Sequence, residues 1–338
     1  MRLSVLDQST ASKGRTQDTA IRETLELARH CDALGYHRYW LSEHHNSGSI
    51  VGTAPEILMA AIATTTARIR VGSAGVMLPH YSALKVAEQF RVLEAIAPGR
   101  IDLGIGRAPG SDQMTSYALN PNPQNVNDQF PRQVQELQHW VSGTPLPEGH
   151  PFSKIVAQPT GPTKPDMWIL GSSEYGAQLA AYFGLPYAFA YFFSDGTGVE
   201  RALDLYRKNY RPSEDNPKPT ATICVWALAA DTEEEALFQF KPRERAIIDR
   251  RQGIRLPLMP PEEAERPYSA AELALAEKLH RKAIVGSTDQ VAARLKTLAK
   301  SLALDELVVV TWTYDPAPRR RSYELLAQAF ALQDPQTH

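Results

Sequence analysis

Eight short apolar runs, each bounded by turn residues and followed by helical periodicity, leave this chain few folds to choose from. They fall at residues 4–7, 39–42, 69–73, 101–105, 167–170, 187–193, 223–229 and 307–312. Such runs suit a parallel sheet buried on both faces. The stretches between them read as helices. Ile21, Leu25, Ala28 and Cys31 form one apolar stripe behind a cap at Asp18, and Gly35 stops it. Pro55 opens a second helix carrying Ile57, Leu58, Ala61 and Ile62. Ser82 caps a third with Val86, Phe90, Leu93 and Ala97, and Pro98-Gly99 ends it. Further helices are expected around Val134 to Val141, 173–183, 199–210, after Gly286-Ser287-Thr288-Asp289, and over 323–330.

Eight strand–helix units in one chain predict a closed ring, the TIM (β/α)8 barrel, rather than an open sheet. A plain barrel takes about 250 residues, and the chain has 338. The surplus is assigned to insertions after strand four, residues 120–165, and after strand seven, residues 231–285. The second is expected to hold an added helical pair and to act as a lid. No repeat or linker interrupts the chain, so residues 1–338 are read as one domain.

With Lys+Arg 36 against Asp+Glu 38, the chain gives no reason to expect nucleic acid or an anionic membrane as partner. No apolar run approaches the ~18 residues of a membrane span, and the first residues lack a signal-peptide layout. Cys31 and Cys224 lie in unlike segments, which argues against a disulfide and for the reducing cytoplasm. The basic runs at 241–251 and 319–321 read as solvated helix faces.

In a parallel barrel, ligands meet the residues just past the carboxyl ends of the strands. There the second strand delivers Tyr39-Trp40-Leu41-Ser42-Glu43-His44-His45. Adjacent residues on an extended strand point to opposite sides, so only one histidine faces the mouth easily. His44 shares parity with Ser42 and is the candidate for proton transfer. His45 fits a core histidine with satisfied hydrogen bonds, and Glu43 fits a group that orients a helix or an arginine. His80 either joins the site or faces solvent.

Past strand four, Gly104-Ile105-Gly106-Arg107-Ala108-Pro109-Gly110 misses the dinucleotide-binding spacing by one residue, and Pro109 interrupts the helix that should follow. What remains is a glycine-lined edge at Gly106 that a flat ligand could approach, with Arg107 placed either for an anion or for a neighbouring carboxylate. Past strand five, Gly171-Ser172-Ser173-Glu174-Tyr175-Gly176 gathers two hydroxyls and free backbone N–H groups at the positive end of a helix. That is a phosphate site, unless one serine merely caps the helix. Ala74-Gly75-Val76, continuing strand three, offers bare backbone to a planar ring, or marks a bulge. A metal is not expected. The end of strand one reads Asp7-Gln8-Ser9-Thr10, without a His-x-His pair, and adjacent histidines chelate poorly on a strand.

Five motifs in order resemble the bacterial-luciferase-like superfamily of flavin-dependent monooxygenases over nearly the whole chain. They are the run at 39–45, Val71-Gly72-Ser73-Ala74-Gly75-Val76-Met77-Leu78-Pro79, the run from Pro98 to Arg107, Gly184-Leu185-Pro186 and Val285-Gly286-Ser287-Thr288. The resemblance implies reduced FMN at the carboxyl face of the barrel, supplied by a separate flavin reductase. It implies oxidation of a small organic substrate by molecular oxygen through a flavin hydroperoxide. His44 matches the catalytic histidine. The Ala74–Gly75 peptide matches a non-proline cis bond behind the flavin ring. Arg107, Ser172, Ser173 and the Gly176 amide match the phosphate site. Tyr191, Phe193 and Trp312 are candidates for keeping the site dry. A homodimer through helices two and three is implied as well. The light-emitting subunit carries a reactive cysteine where this chain has Gly106, so light emission is not implied. Two alternatives stand beside this one: hydride transfer with a deazaflavin, and flavin binding without turnover.

Overall fold

A computed structural model of the chain describes residues 1–108, 112–121, 126–194, 196–265 and 267–332. Pro109 and Gly110, on which the comparison with a dinucleotide loop turns, lie outside them, as does part of the polar stretch near residue 124.

The described residues form a ring of eight parallel strands: β1 (Arg2–Asp7), β2 (Arg38–Leu41), β3 (Arg70–Ser73), β4 (Ile101–Gly106), β5 (Asp166–Gly171), β6 (Tyr187–Phe189), β7 (Ala221–Ala230) and β8 (Glu306–Val310). Each pairs with the next, and β8 closes the ring by pairing with β1 through Val5↔Val309 and with β7 through Val308↔Cys224. This is the TIM barrel that the alternation of runs predicts. Two short strands extend it, Val76–Met77 on β4 and Ile284–Ser287 on β7.

The alternation of side chains along each strand builds two cores. Leu6, Trp40, Trp168, Ala188, Cys224, Trp226 and Val308 point inward and fill the barrel. Val5, Tyr39, Val71, Leu103 and Val309 point outward and pack under the helices. The amino end of the barrel is closed by charges, a feature the sequence reading does not anticipate. Asp102 accepts from Arg38 at 2.8 Å, from Arg70 at 2.6 Å and from the Trp40 indole at 2.9 Å. Glu306 takes the other face of Arg38 at 3.0 Å. Every buried charge here has a partner, as burial requires.

Several expectations need correction. The sixth strand ends at Phe189, and Tyr191–Ser194 is a helical turn. The first helix is Gln17–Ala33, with Asp18 in its first turn bonded to Arg22 rather than capping it. The last helix is Pro316–Ala329, beginning at the proline rather than at Tyr323. The two basic runs are solvated only in part: Arg250, Arg251 and Arg321 are exposed, and other members are buried. In the helix Glu233–Arg251, Arg243, Glu244, Arg245 and Asp249 are buried. The helix Ala270–Lys282 covers them, and Arg245 is held by Asp249 at 2.8 Å and Glu272 at 3.1 Å. Arg319 is buried too, on Asp7 at 2.7 Å. Periodicity shows charge on a helix face but not what a later segment lays over it.

Between β7 and β8, residues 252–259 run beside the loops after β1 and β2. The Leu258 N–H donates to Ala11 O at 2.9 Å, and Lys13 N–H donates to Leu258 O at 2.7 Å. Among the described residues no helix is long and apolar enough to cross a membrane.

Candidate active site

The carboxyl ends of the strands surround a cavity of about 310 Å³. The residues expected to move the proton and to hold the cofactor line it: His44 after β2, Ala74 and Gly75 after β3, Gly106 and Arg107 at the end of β4, and Ser172, Ser173 and Gly176 after β5. Its floor and walls are apolar, with Leu6, Trp40, Leu170, Phe189 and Phe192 among them. Phe193 lines the cavity as expected, whereas Tyr191 and Trp312 do not; Phe192 and Phe130 take that place.

His44 is fixed at both ends. Its backbone N–H donates to Gly52 O at 3.0 Å, and its Nδ1 lies 3.2 Å from Ser42 Oγ. Nε2 has no hydrogen-bond partner among the described residues. Burial drives the His44 pKa down to about 4, helped by the charges of Arg250 and His45. The ring is therefore neutral near pH 7 and can accept a proton at Nε2.

His45 turns the other way, as strand parity requires, and meets Glu43 at 2.8 Å. Glu43 is buried and also accepts from the Met77 backbone N–H at 3.0 Å and from the Tyr81 hydroxyl at 2.5 Å. It thus orients the segment after β3 through the two residues that flank the short 3-10 helix Leu78–His80, and not an arginine. His80 is not among the lining residues; it packs edge-on to Tyr81 with ring centroids 6.3 Å apart. Among the described residues no three of His, Cys, Asp and Glu are grouped to hold a metal ion.

The Ala74–Gly75 peptide is cis. A Cβ on Gly75 would lie 2.8 Å from Gly104 O and 3.1 Å from Ile105 N, so the segment must be bare to lie on β4. A Cβ on Gly106 would meet nothing within 4 Å. Gly106 thus leaves open space beside the cavity.

On the far side, Ser173 is the N-cap residue of the helix Glu174–Phe183, yet its hydroxyl makes no capping bond. Plain capping is therefore not what the serine does here. Ser172 and Ser173 are both exposed at the mouth. Glu174, the acid in the first turn, is drawn aside by Arg201 at 2.8 Å. Arg107 forms no ion pair among the described residues and stacks on Tyr175 with its guanidinium carbon 4.1 Å from the ring centroid. Two hydroxyls, the first amides of a helix and an uncommitted guanidinium make an anion cradle. The part of Tyr175 is not visible in the sequence, because nothing in the spacing says that Arg107 faces it across two strands.

These residues suit a flavin mononucleotide: bare backbone for the ring, apolar walls, and a cradle for the phosphate. The profile of luciferase-like monooxygenases matches residues 1–305. The chain is 44% identical to the uncharacterized protein YwcH of Bacillus subtilis, covering 97% of this chain and 99% of that one. It is 35% identical to the N-acetyl-S-alkylcysteine monooxygenase of the same organism, over 97% of this chain and 98% of that protein. Among solved structures it is similar to apo-MsnO8, with 36% identity, a TM-score of 0.89 and 98% of each chain covered. It shares the fold of the oxygenating constituent of 3,6-diketocamphane monooxygenase from Pseudomonas putida, solved in complex with FMN, at 22% identity, a TM-score of 0.72 and 97% of each chain.

Proposed function

The chain belongs to the family of luciferase-like monooxygenases, and on that premise we propose that it binds reduced FMN over the barrel mouth and oxidises a small organic substrate with molecular oxygen. The observation that carries this reading is that His44 and the unused Ser173 hydroxyl open into one apolar cavity from opposite sides. Ser172, Ser173, the Gly176 amide and Arg107 hold the phosphate. The bare backbone of Ala74, Gly75 and Gly106 receives the ring. The reduced flavin, once bound, supplies the electrons that activate oxygen. The apolar walls exclude water from the reacting atoms. His44 accepts or returns a proton at Nε2, with Ser42 fixing the ring through Nδ1.

The electrons are assigned to a separate flavin reductase, because the sequence Gly104-Ile105-Gly106-Arg107-Ala108-Pro109-Gly110 misses the dinucleotide-binding spacing. Residues 1–338 act as one domain, and two copies pair through Pro55–Thr65 and Ala83–Ile96. Exposed Ile57, Val92 and Ile96 on those helices support that pairing. The substrate classes to screen are aldehydes, aromatic ketones and thioethers.

His44→Ala is expected to keep FMN affinity and to lower oxygenated product by about 100-fold. The measurement supplies reduced FMN and oxygen with the panel and reads product by mass. Equal product from both proteins would overturn the role of His44. Turnover with a reduced deazaflavin, and none with FMN, would replace oxygenation by hydride transfer.

A further inference from the structure

One polar side chain of the cavity has no task in the account so far. Gln8 follows β1 directly, and the pairing Asp7↔Leu41 sets it level with Ser42 on the neighbouring strand. The Ser42 N–H donates to Asp7 O at 3.1 Å and holds the two strand ends at that level. Leu6 and Gln8 alternate inward along the first chain segment, as Trp40, Ser42 and His44 do along the second, and all five line the cavity. Gln8 thus stands one strand beyond His44, at the level of the serine that fixes the imidazole.

The Gln8 side chain is 3% exposed and is held at one end. Trp312 donates from Nε1 to Gln8 Oε1 at 3.1 Å. An indole nitrogen only donates, so the amide oxygen must be the atom that meets it, and the two ends of the amide cannot be interchanged. Trp312 does not line the cavity, whereas Gln8 does. The oxygen is therefore turned into the wall, and the amide nitrogen is the end left to the cavity. Among the described residues Gln8 Nε2 has no hydrogen-bond partner. A buried amide donor is costly to leave unmatched, so this one calls for an acceptor on a ligand.

The surroundings say what kind of acceptor. Ser42 Oγ is engaged with His44, and the Glu43 carboxylate is taken by Met77, Tyr81 and His45. Leu6, Trp40, Ala188 and Cys224 make the lining below apolar. Arg107 belongs to the phosphate cradle, so a carboxylate beside Gln8 would sit unpaired in apolar surroundings. A thioether sulfur accepts only weakly. An uncharged oxygen fits. The flavin's own carbonyls are not the choice, since its bed is on β3 and β4, its cradle follows β5, and β2 stands between them and Gln8.

We propose that Gln8 is the substrate-orienting donor of the site: Nε2 grips an uncharged carbonyl oxygen of the substrate, and Trp312 keeps the amide turned for it. Of the classes to be screened, this selects aldehydes and ketones over thioethers. It rests on the flavin reading for what is done to the substrate, but not for the grip.

The test is infrared spectroscopy and calorimetric titration of the whole protein with acetophenone and with α-methylstyrene, in which a methylene group replaces the carbonyl oxygen. Each is run with and without oxidised FMN. The carbonyl stretch of bound acetophenone should lie at lower wavenumber than in an apolar solvent. In Gln8→Leu the stretch should return to the apolar-solvent position and acetophenone affinity should fall about 10-fold, with α-methylstyrene binding not weakened and FMN affinity kept. Trp312→Phe frees the amide to turn and should weaken acetophenone alone, by a smaller factor. No binding of acetophenone, a wild-type stretch at the apolar-solvent position, equal losses for both ligands, or a loss of FMN affinity with acetophenone binding kept would overturn the grip. The wild-type spectrum decides even where Gln8→Leu does not fold. Failure of FMN to bind the wild type would overturn the flavin reading instead, and the titrations without FMN would still decide the grip.

Discussion

The Glu43 carboxylate holds the Met77 backbone N–H at 3.0 Å, tying the end of β2 to the bare segment that follows β3. The same carboxylate takes the Tyr81 hydroxyl and His45, so one buried acid sets the bed on which a flavin ring would lie. Glu43→Ala should therefore cost about 2–4 kcal/mol, because it leaves a buried N–H and a hydroxyl unpaired. Urea unfolding reads this directly, and FMN affinity should fall with it. A loss under about 0.5 kcal/mol, the range of an inert surface change, would show that the carboxylate does not carry the segment.

The two glycines that face the ring position differ in what a methyl group would meet. Gly75→Ala forces a Cβ onto the backbone of β4 and should destabilise by about 1–3 kcal/mol. Gly106→Ala meets only open space and should leave stability within about 0.5 kcal/mol. Thermal unfolding of the pair checks the contrast, and similar losses in both would contradict it.

Acid stability should carry the signature of His44. Its folded pKa, about 4, lies below its ordinary value of 6.5. Between those values the unfolded chain binds the proton more readily, so stability is full above pH 6.5 and falls as pH drops toward 4. The share from His44 is about 3 kcal/mol, and His37, also driven down to about 4 by burial, adds its own. His44→Gln should flatten the fall in melting temperature between pH 6.5 and 4 without abolishing it. A slope identical to wild type would mean that the ring is not desolvated.

The barrel and the lining of its mouth were legible because both follow from short-range rules. Strand runs, glycine stops and strand parity put His44 inward and His45 outward, and put Ser172, Ser173 and Arg107 at one rim. What escaped were relations across distant segments. The Arg38–Asp102–Glu306 closure joins residues 268 positions apart. The burial of Arg245 and Arg319 depends on a later helix and on Asp7. A charged helix reads as solvated until the segment that covers it is known. The end of β6 escaped for another reason: residues 190–193 are apolar enough for a strand, yet the chain turns at Ala190, whose N–H donates to Gly171 O at 2.9 Å.

The claim on which the rest depends is that a phosphorylated flavin spans the mouth from the β5 helix to His44. Fluorescence titration of the protein with FMN and with riboflavin tests it most directly. FMN should bind about 10-fold or more tightly than riboflavin, and that difference should vanish when Arg107, Ser172 and Ser173 are all changed to Ala. Equal affinity for the two flavins, or binding of neither, would contradict it.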